Sequence, residues 1–575
     1  MSVTVHDPST RPPEKFWLAS YPPGMARDIA PLAYQSIGDL LERSCAEFAD
    51  RSAFTCMGKT LTFRDLDSQS AKIAVWLQAR GLEKGDRVAV MMPNILQNPV
   101  IIFGILRAGL IVVNVNPLYT PRELEHQLRD AGAKAIFVLE NFANTVQQVI
   151  ARTDVRLVSV TSMGDMLGFK GLIVNLVVRK VKKLVPAWSL PGQVPFLQVL
   201  AEGAKSALKP VAVAPSDIAF LQYTGGTTGV SKGATLTHSN LLANTEQLRQ
   251  WIEPVFGIKK RPEQLVFICA LPLYHIFALT VNGLMGIALG AHNVLIPNPR
   301  DIPGFVKELG KYEFHIFPGL NTLFNALMNN PDFAKLDFSH LLLALGGGMA
   351  VQAPVAERWQ RMTGCNITEG YGLSETSPVA TANRLDLPSF TGTIGLPLPS
   401  TDIDIRDDEG RSLPLGEIGE ICIRGPQVMA GYWQRPDETA RVMSENGFFR
   451  SGDIGYMTPE GYTKIVDRKK DMILVSGFNV FPNEIEEVAM TLAGILECAA
   501  IGIPDQHSGE AVKLFVVRKD PDLTEAAVKA HCAANLTNYK RPKYIEFRTE
   551  LPKSNVGKIL RKDLRAEQAN TTKTI

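Results

Sequence analysis

Along residues 86–138, short apolar runs alternate with segments whose apolar positions recur at helical spacing. Residues 87–92 form an apolar strand stopped by Pro93 and Asn94, 97–107 have helix length, and 110–115 are apolar again. Residues 121–130 are polar and helical, and 133–139 read as a third strand. Strands and helices in this order predict parallel pairing, because parallel neighbours need a long crossover between them. A strand at 217–222 then feeds a loop rich in glycine and threonine, followed by a helix from about Asn240. This predicts a strand–loop–helix junction, a common place for an anion. A second α/β stretch runs from 264 to 372.

From about Gly392 the pattern shortens. Strands at 402–406, 419–424 and 461–466 are separated by Gly, Pro and Asp turns, which predicts a small β-rich subdomain. The charged run Asp467-Arg468-Lys469-Lys470-Asp471 stands as a connector. Beyond it come a helix at 482–492, strands at 499–503 and 512–517, a helix at 524–535 and a basic tail. The expected architecture is a large N-terminal domain, 1–467, of two α/β layered subdomains plus a small β subdomain. A hinge at 468–470 then leads to a smaller, mobile α+β C-terminal domain, 471–575.

At 575 residues the chain exceeds one core, in keeping with that division. A net charge of +2 gives no reason to expect a nucleic-acid partner. Residues 1–30 mix charges and prolines without an apolar core, so no secretory signal is expected, and no run is long enough to span a membrane. The seven cysteines are scattered, without a CxxC pair or a histidine cluster. That pattern suits reduced thiols in a cytoplasm and argues against structural zinc.

One segment departs from its surroundings. At 100° per residue, Val174, Val177, Val178, Val181, Leu184 and Val185 share one helix face, and Arg179, Lys180, Lys182 and Lys183 share the other. A basic amphipathic helix at 172–185, ended by Pro186 and Trp188, lies in an anionic membrane interface or packs on the protein with its basic face solvated.

The chemistry centres on Thr224-Gly225-Gly226-Thr227-Thr228-Gly229-Val230-Ser231-Lys232. Glycines leave backbone N–H groups open and allow the chain to curl around an anion, threonines add hydroxyls, and Lys232 adds charge. The order differs from a Walker A loop, which places Lys directly after its last glycine. Further along, Glu369-Gly370-Tyr371-Gly372-Leu373-Ser374-Glu375 combines carboxylates with an aromatic face, and Glu375 is a candidate Mg²⁺ ligand. Gly346, Gly347 and Gly348 allow close approach to a planar ligand. Asp453 and Arg468 are candidates for ribose, and Lys558 stands on a Gly/Pro-broken loop near the end of the chain.

Taken in order, the run 371–375, Ser451-Gly452-Asp453, the run 467–471 and Gly557-Lys558 resemble successive core motifs of the adenylate-forming superfamily. The stretch 446–456 through 477–486 and Asn114-Val115-Asn116-Pro117-Leu118-Tyr119 are similar to bacterial long-chain fatty acid–CoA ligases. The resemblance implies ATP-dependent conversion of a long-chain fatty acid to its coenzyme A thioester through an acyl adenylate, with release of AMP and pyrophosphate. It implies that Thr224, Gly226, Thr227, Thr228 and Lys232 grip the triphosphate near Ser374, and that Glu375 holds Mg²⁺. Tyr371 and the glycine triplet would frame adenine, Asp453 and Arg468 hold ribose, and Lys558 bridge the α-phosphate and the acid. Lys470 matches a hinge about which the small domain rotates, bringing a thiol channel near Gly477 and Phe478. His275 matches a position near the acyl pocket, where a core histidine with a satisfied hydrogen bond is the other reading. Expected partners are the fatty acid, the inner face of the cytoplasmic membrane and a second copy of the chain. The alternatives are a ligase for an aromatic or hydroxy acid, or a non-catalytic fatty-acid-binding or transport protein.

Overall fold

A computed structural model describes residues 14–224, 231–258, 260–505, 507–554 and 557–572. The loop positions Gly225, Gly226, Thr227, Thr228 and Gly229 lie outside the described residues. Among the described residues, strands assemble into four sheets, of nine, eight, five and four strands.

The eight-stranded sheet has a parallel centre formed by Ile218–Thr224, Ile111–Asn114, Arg87–Met91, Ala135–Leu139 and Leu157–Thr161. Ile111–Asn114 and Ala135–Leu139 are buried along their whole length, which is why they read as continuous apolar runs rather than alternation. The crossover helix Pro121–Ala131 carries its own boundaries. Thr120 and Glu123 cap its start reciprocally, Pro121 occupies the first turn, and Gly132 ends it in the left-handed conformation.

The nine-stranded sheet has its own parallel centre: His292–Leu295, Val266–Cys269, Ile316–Gly319, Leu343–Gly346 and Ile367–Gly372. Register aligns Gly319 with Gly346, and Gly346 with Glu369. The carboxyl ends of Ile316–Gly319 and Leu343–Gly346 therefore lie level with Glu369 at one edge, where open α/β sheets bind ligands. An antiparallel four-stranded sheet covers residues 402–468, and the five-stranded sheet lies wholly within 473–548. The sheets part between Arg468 and Ile473, over the charged run.

Three expectations change. The glycine-rich loop does not lead directly into a helix. Lys232–Thr237 returns as a strand antiparallel to Ile218–Thr224, and the helix His238–Ile252 follows it. That return strand is short, contains Gly233 and has only Ala234 and Leu236 as apolar side chains, so no apolar run marks it. The β subdomain contains a fourth strand, Phe449–Met457, which carries Ser451-Gly452-Asp453.

The third change concerns the basic segment. Its helix begins earlier, at Phe169, and passes into π-helical turns at Val177–Val181. Val178 faces inward, whereas Phe169 (93% exposed), Leu172 (71%), Ile173 (65%) and Leu176 (58%) face outward. Arg179 is not part of a free basic face: its guanidinium donates to Glu140 at 2.9 Å and to Ser162 Oγ at 2.6 Å. Trp188 packs against the core, and Asn141 and Asn144 donate to the carbonyls of Leu184 and Ala187. The π-helical turns shift the later positions off the ideal 100° spacing, so Arg179 points at a buried acid.

All seven cysteines are buried, and none is in a disulfide.

Candidate active site

Leu320, Gly346 and Glu369 line a cavity of about 740 Å³ at this edge. Its size suits a small ligand of nucleotide dimensions. Gly346, Gly347 and Gly348 line one wall, and Tyr371, Gly372 and Ser374 another. A Cβ on Gly372 would stand 1.7 Å from the Pro378 carbonyl oxygen, so only glycine lets these two backbones pass.

Behind Tyr371 lies a buried polar relay. The Tyr371 hydroxyl donates to Asp453 Oδ2 at 2.7 Å, and Arg468 Nε meets Asp453 Oδ1 at 3.0 Å. Asp453 and Arg468 face each other in register between Phe449–Met457 and Thr463–Arg468. Burial pushes the Tyr371 phenol well above its usual range, and the neighbouring carboxylate adds to that. Asp453 is 2% exposed and stands one hydrogen bond behind the cavity wall, whereas Arg468 reaches the wall itself.

Glu375 sits on the single turn Ser374–Thr376 and faces the cavity. Its Oε1 accepts from the Tyr432 hydroxyl at 2.8 Å. Burial raises its carboxyl above the usual range, opposed by the Tyr432 bond. Among the described residues, no three His, Cys, Asp or Glu side chains form a metal cage. Mg²⁺ keeps substrate phosphates and waters as ligands and needs only one or two carboxylates, so Glu375 suits it.

Two lysines from distant parts of the chain enter the same cavity. Lys232 opens its strand, paired in register with Thr224, and its ammonium ion-pairs with Glu438. Lys558 arrives from near the end of the chain. Gly557 adopts φ +85°, and Lys558 N donates to Ser554 Oγ at 3.1 Å, closing a tight turn. Thr322 Oγ1 donates to the Gly557 carbonyl at 3.1 Å, which ties this turn to the nine-stranded-sheet domain. Burial first, and then the nearby Arg468 cation, lower the Lys558 ammonium to about 7.

The apolar part of the cavity lining includes Leu248, Trp251, Ile252, Val281, Met285 and Leu385. Trp251 is locked there by its indole N–H, which donates to the Asn383 carbonyl at 3.0 Å. His275 also lines the cavity. Its Nδ1 accepts weakly from Phe277 N at 3.3 Å, and burial lowers it to about 4, so it is neutral at pH 7. Glu369 also lines the cavity and accepts from Val351 N at 2.9 Å, with burial lifting its carboxyl to about 8.

Three sequence candidates stand elsewhere. Gly477 and Phe478 lie away from the cavity, where Phe478 is 54% exposed and stacks on Tyr539 at 4.7 Å. Lys470 is half-buried beside Arg468, and burial followed by that cation lowers it to about 8. Conversely, Tyr432, Glu438 and Trp251 line the cavity without having been singled out from sequence. No local motif marks them, because an ordinary Gly-Tyr-Trp turn and a charged helix carry no signal of their own.

Two α/β sheets and a β subdomain around this cavity, followed by a separate C-terminal sheet, define the adenylate-forming class of enzymes. Residues 41–433 match the family model described as AMP-binding enzyme, and residues 484–558 match the AMP-binding enzyme C-terminal domain. The chain belongs to that family. It is 55% identical over 556 residues to a long-chain-fatty-acid–CoA ligase of Escherichia coli O6:H1, covering 96% of this chain and 98% of the relative. It is 54% identical to a Yersinia pestis protein of the same name, covering 98% and 99%. Among solved structures, ATP-bound MatB from Rhodopseudomonas palustris superposes with a TM-score of 0.79 at 28% identity, covering 92% of this chain and 98% of that one.

Proposed function

We propose that this chain joins a long-chain fatty acid to coenzyme A at the expense of ATP, through an acyl adenylate. One observation supports the reading most directly: Lys232, Lys558 and Glu375 line one cavity whose wall also carries an apolar set, including Leu248, Trp251, Ile252 and Met285. A carboxylate is a poor electrophile, so the acid first attacks the α-phosphorus of ATP and expels pyrophosphate. The apolar lining holds the acyl chain with its carboxylate near neutral His275, which adds no competing charge. Lys558 neutralises charge developing on the α-phosphate and the acid, and Lys232, with residues 224–229, holds the phosphates that leave. Arg468 and the Asp453–Tyr371 pair fix the ribose side. Mg²⁺ held by Glu375 would offset phosphate charge when bound.

Thiolysis needs the place that Lys558 fills. Rotation about Lys470 withdraws Lys558 and its loop and brings Gly477 and Phe478 to the cavity for the thiol. The domain limits 1–467 and 471–575 follow from that hinge. A binding or transport protein has no use for two lysines and a buried carboxylate at one ligand, which favours the ligase. The outward face of Phe169, Leu172, Ile173 and Leu176, with Lys180, Lys182 and Lys183 beside it, fits a helix lying in an anionic lipid surface, from which a fatty acid is supplied. Among the described residues no helix is long and apolar enough to cross a membrane.

The test is pyrophosphate release with saturated acids of six to eighteen carbons and with aromatic acids, each with and without coenzyme A. The reading expects release with the longer fatty acids and thioester formation only with coenzyme A. Preference for aromatic acids, or binding without release, would overturn it.

A further inference from the structure

Lys232 is not free in its cavity. Its ammonium pairs with one oxygen of Glu438, and it lies 5.3 Å from the centroid of the Tyr432 ring. The other oxygen of Glu438, Oε1, accepts from Arg441 Nη1 at 2.7 Å. Lys232, Glu438 and Arg441 all line the ligand cavity. Glu438 belongs to the helix Pro436–Val442, which follows directly from the strand carrying Tyr432. Tyr432 donates in turn to Glu375, so one short segment touches both the lysine and the candidate metal ligand. A single carboxylate thus holds two cations that face the place proposed for the triphosphate.

The side chains of Lys232 and Glu438 are 33% and 30% exposed, so the pair sits at the cavity mouth rather than in the core. A pair in that setting is easily exchanged, because water screens it and its net worth is small. A phosphate oxygen is a better partner for the lysine than a carboxylate oxygen when several phosphate charges arrive together. The two anions cannot both sit on Lys232 without repelling each other.

We infer that Glu438 is a positioning residue that acts as an exchangeable counter-anion for Lys232, yielding it to the β- and γ-phosphates of ATP and retaking it as pyrophosphate leaves. This rests on the reading of Lys232 as a phosphate-binding residue. Glu438 keeps the lysine extended into the cavity in the resting enzyme. Its charge opposes tight retention of the product, and pyrophosphate retained in the site would reverse adenylation.

The experiment measures product inhibition by inorganic pyrophosphate and KM for ATP in the wild type, Glu438→Gln, Glu438→Asp, Lys232→Ala and the Lys232→Ala/Glu438→Gln double variant. Removing the charge in Glu438→Gln should lower both the pyrophosphate inhibition constant and KM for ATP, by roughly two- to fivefold. It should also lower kcat, as release slows. Glu438→Asp keeps the charge one methylene further back and should fall between Glu438→Gln and wild type. In the Lys232→Ala background, Glu438→Gln should lower the two constants by clearly less than it does in the wild type, since only Arg441 is then released, a non-additivity that a purely structural role for Glu438 would not produce. Weaker pyrophosphate and ATP binding in Glu438→Gln would overturn the inference, showing that Glu438 only preorganises the lysine. Unchanged constants would overturn it as well. If Lys232→Ala leaves pyrophosphate inhibition untouched, the phosphate-binding role of Lys232 itself fails. If Lys232→Ala weakens inhibition but Glu438→Gln does not strengthen it, only the exchange fails.

Discussion

Tyr371 and Asp453 stand 82 positions apart in sequence and share a 2.7 Å hydrogen bond behind the cavity wall. The tyrosine closes the parallel sheet, and the aspartate belongs to the β subdomain, so this bond fixes one against the other. Tyr371→Phe removes only the hydroxyl and leaves a buried carboxylate short of a donor. The expected cost is about 1–3 kcal/mol of stability, read as a fall in melting temperature. KM for ATP should rise with it, because Asp453, the partner of Arg468, is then held by one bond fewer. An unchanged melt would show that water replaces the hydroxyl at no cost.

Lys558→Ala should nearly abolish formation of acyl adenylate, by roughly 10²–10³-fold, while thiolysis of supplied acyl adenylate survives. The ammonium is the active form, and burial sets its value near 7 in the free enzyme. The protonated fraction therefore declines as pH rises through 7, and kcat/KM for adenylation should decline with it. Lys558→Arg stays charged throughout and should lack this alkaline limb, even if its planar head reduces the rate. Single-turnover adenylation across pH 6–9 checks both statements.

Glu375→Gln keeps size and a hydrogen-bond acceptor for Tyr432 but removes the charge a hard cation wants. Activity should collapse for every acid tested, and excess Mg²⁺ should recover part of it. The ligand-free melting temperature should hold or rise, because burial already disfavours the carboxylate. A large loss of thermal stability would mark a structural carboxylate instead.

Glu369 offers a stability test by pH. Its folded value, near 8, stands above the ordinary 4.5, so the folded chain holds the proton more tightly than the unfolded one. Its contribution is fully present below pH 4.5 and is lost as pH rises through 8. Glu369→Gln mimics the protonated form and can still accept from Val351 N. Its melting temperature should match wild type near pH 5 and exceed it near pH 9.

The outward apolar face and the lysines beside it are separable. Replacing Phe169, Leu172, Ile173 and Leu176 with serine should weaken binding to anionic vesicles at least roughly tenfold, at any salt concentration. Lys180, Lys182 and Lys183 changed to Gln should weaken it by about 1 kcal/mol each at low salt, and by less at high salt. Arg179→Gln should act on stability instead, since it leaves the buried Glu140 unpaired. Wild-type co-sedimentation by the serine variant would reject this helix as the lipid contact.

The sequence made the large elements legible where one physical rule acted alone. The helix at Gln97–Arg107 and the buried strands around it follow from apolar run length, and Pro121–Ala131 from its caps. Legibility failed where tertiary contact decided. Lys232–Thr237 is a strand because Ile218–Thr224 and Gly431–Tyr432 flank it, not because its residues ask for one. Arg179 left the ideal helical face because Glu140 was there to receive it. At the site, glycine runs and charged motifs pointed to Lys232, Glu375 and Lys558, each of which lines the cavity. Glu438 and Trp251 reach that cavity from a polar helix and an amphipathic one, and only the fold brings them to it.

A protein whose proposed co-substrate is a thiol keeps its own thiols out of reach. Burial pushes Cys45, Cys56 and Cys422 up to about 12, and the other four are equally enclosed. A thiol raised in this way holds very little thiolate at neutral pH, and thiolate is the form that reacts. The native chain should therefore be silent to maleimide reagents while folded. One cysteine installed at an exposed position such as Leu474, on the C-terminal sheet, would then take a spectroscopic label cleanly and report that domain's position during turnover.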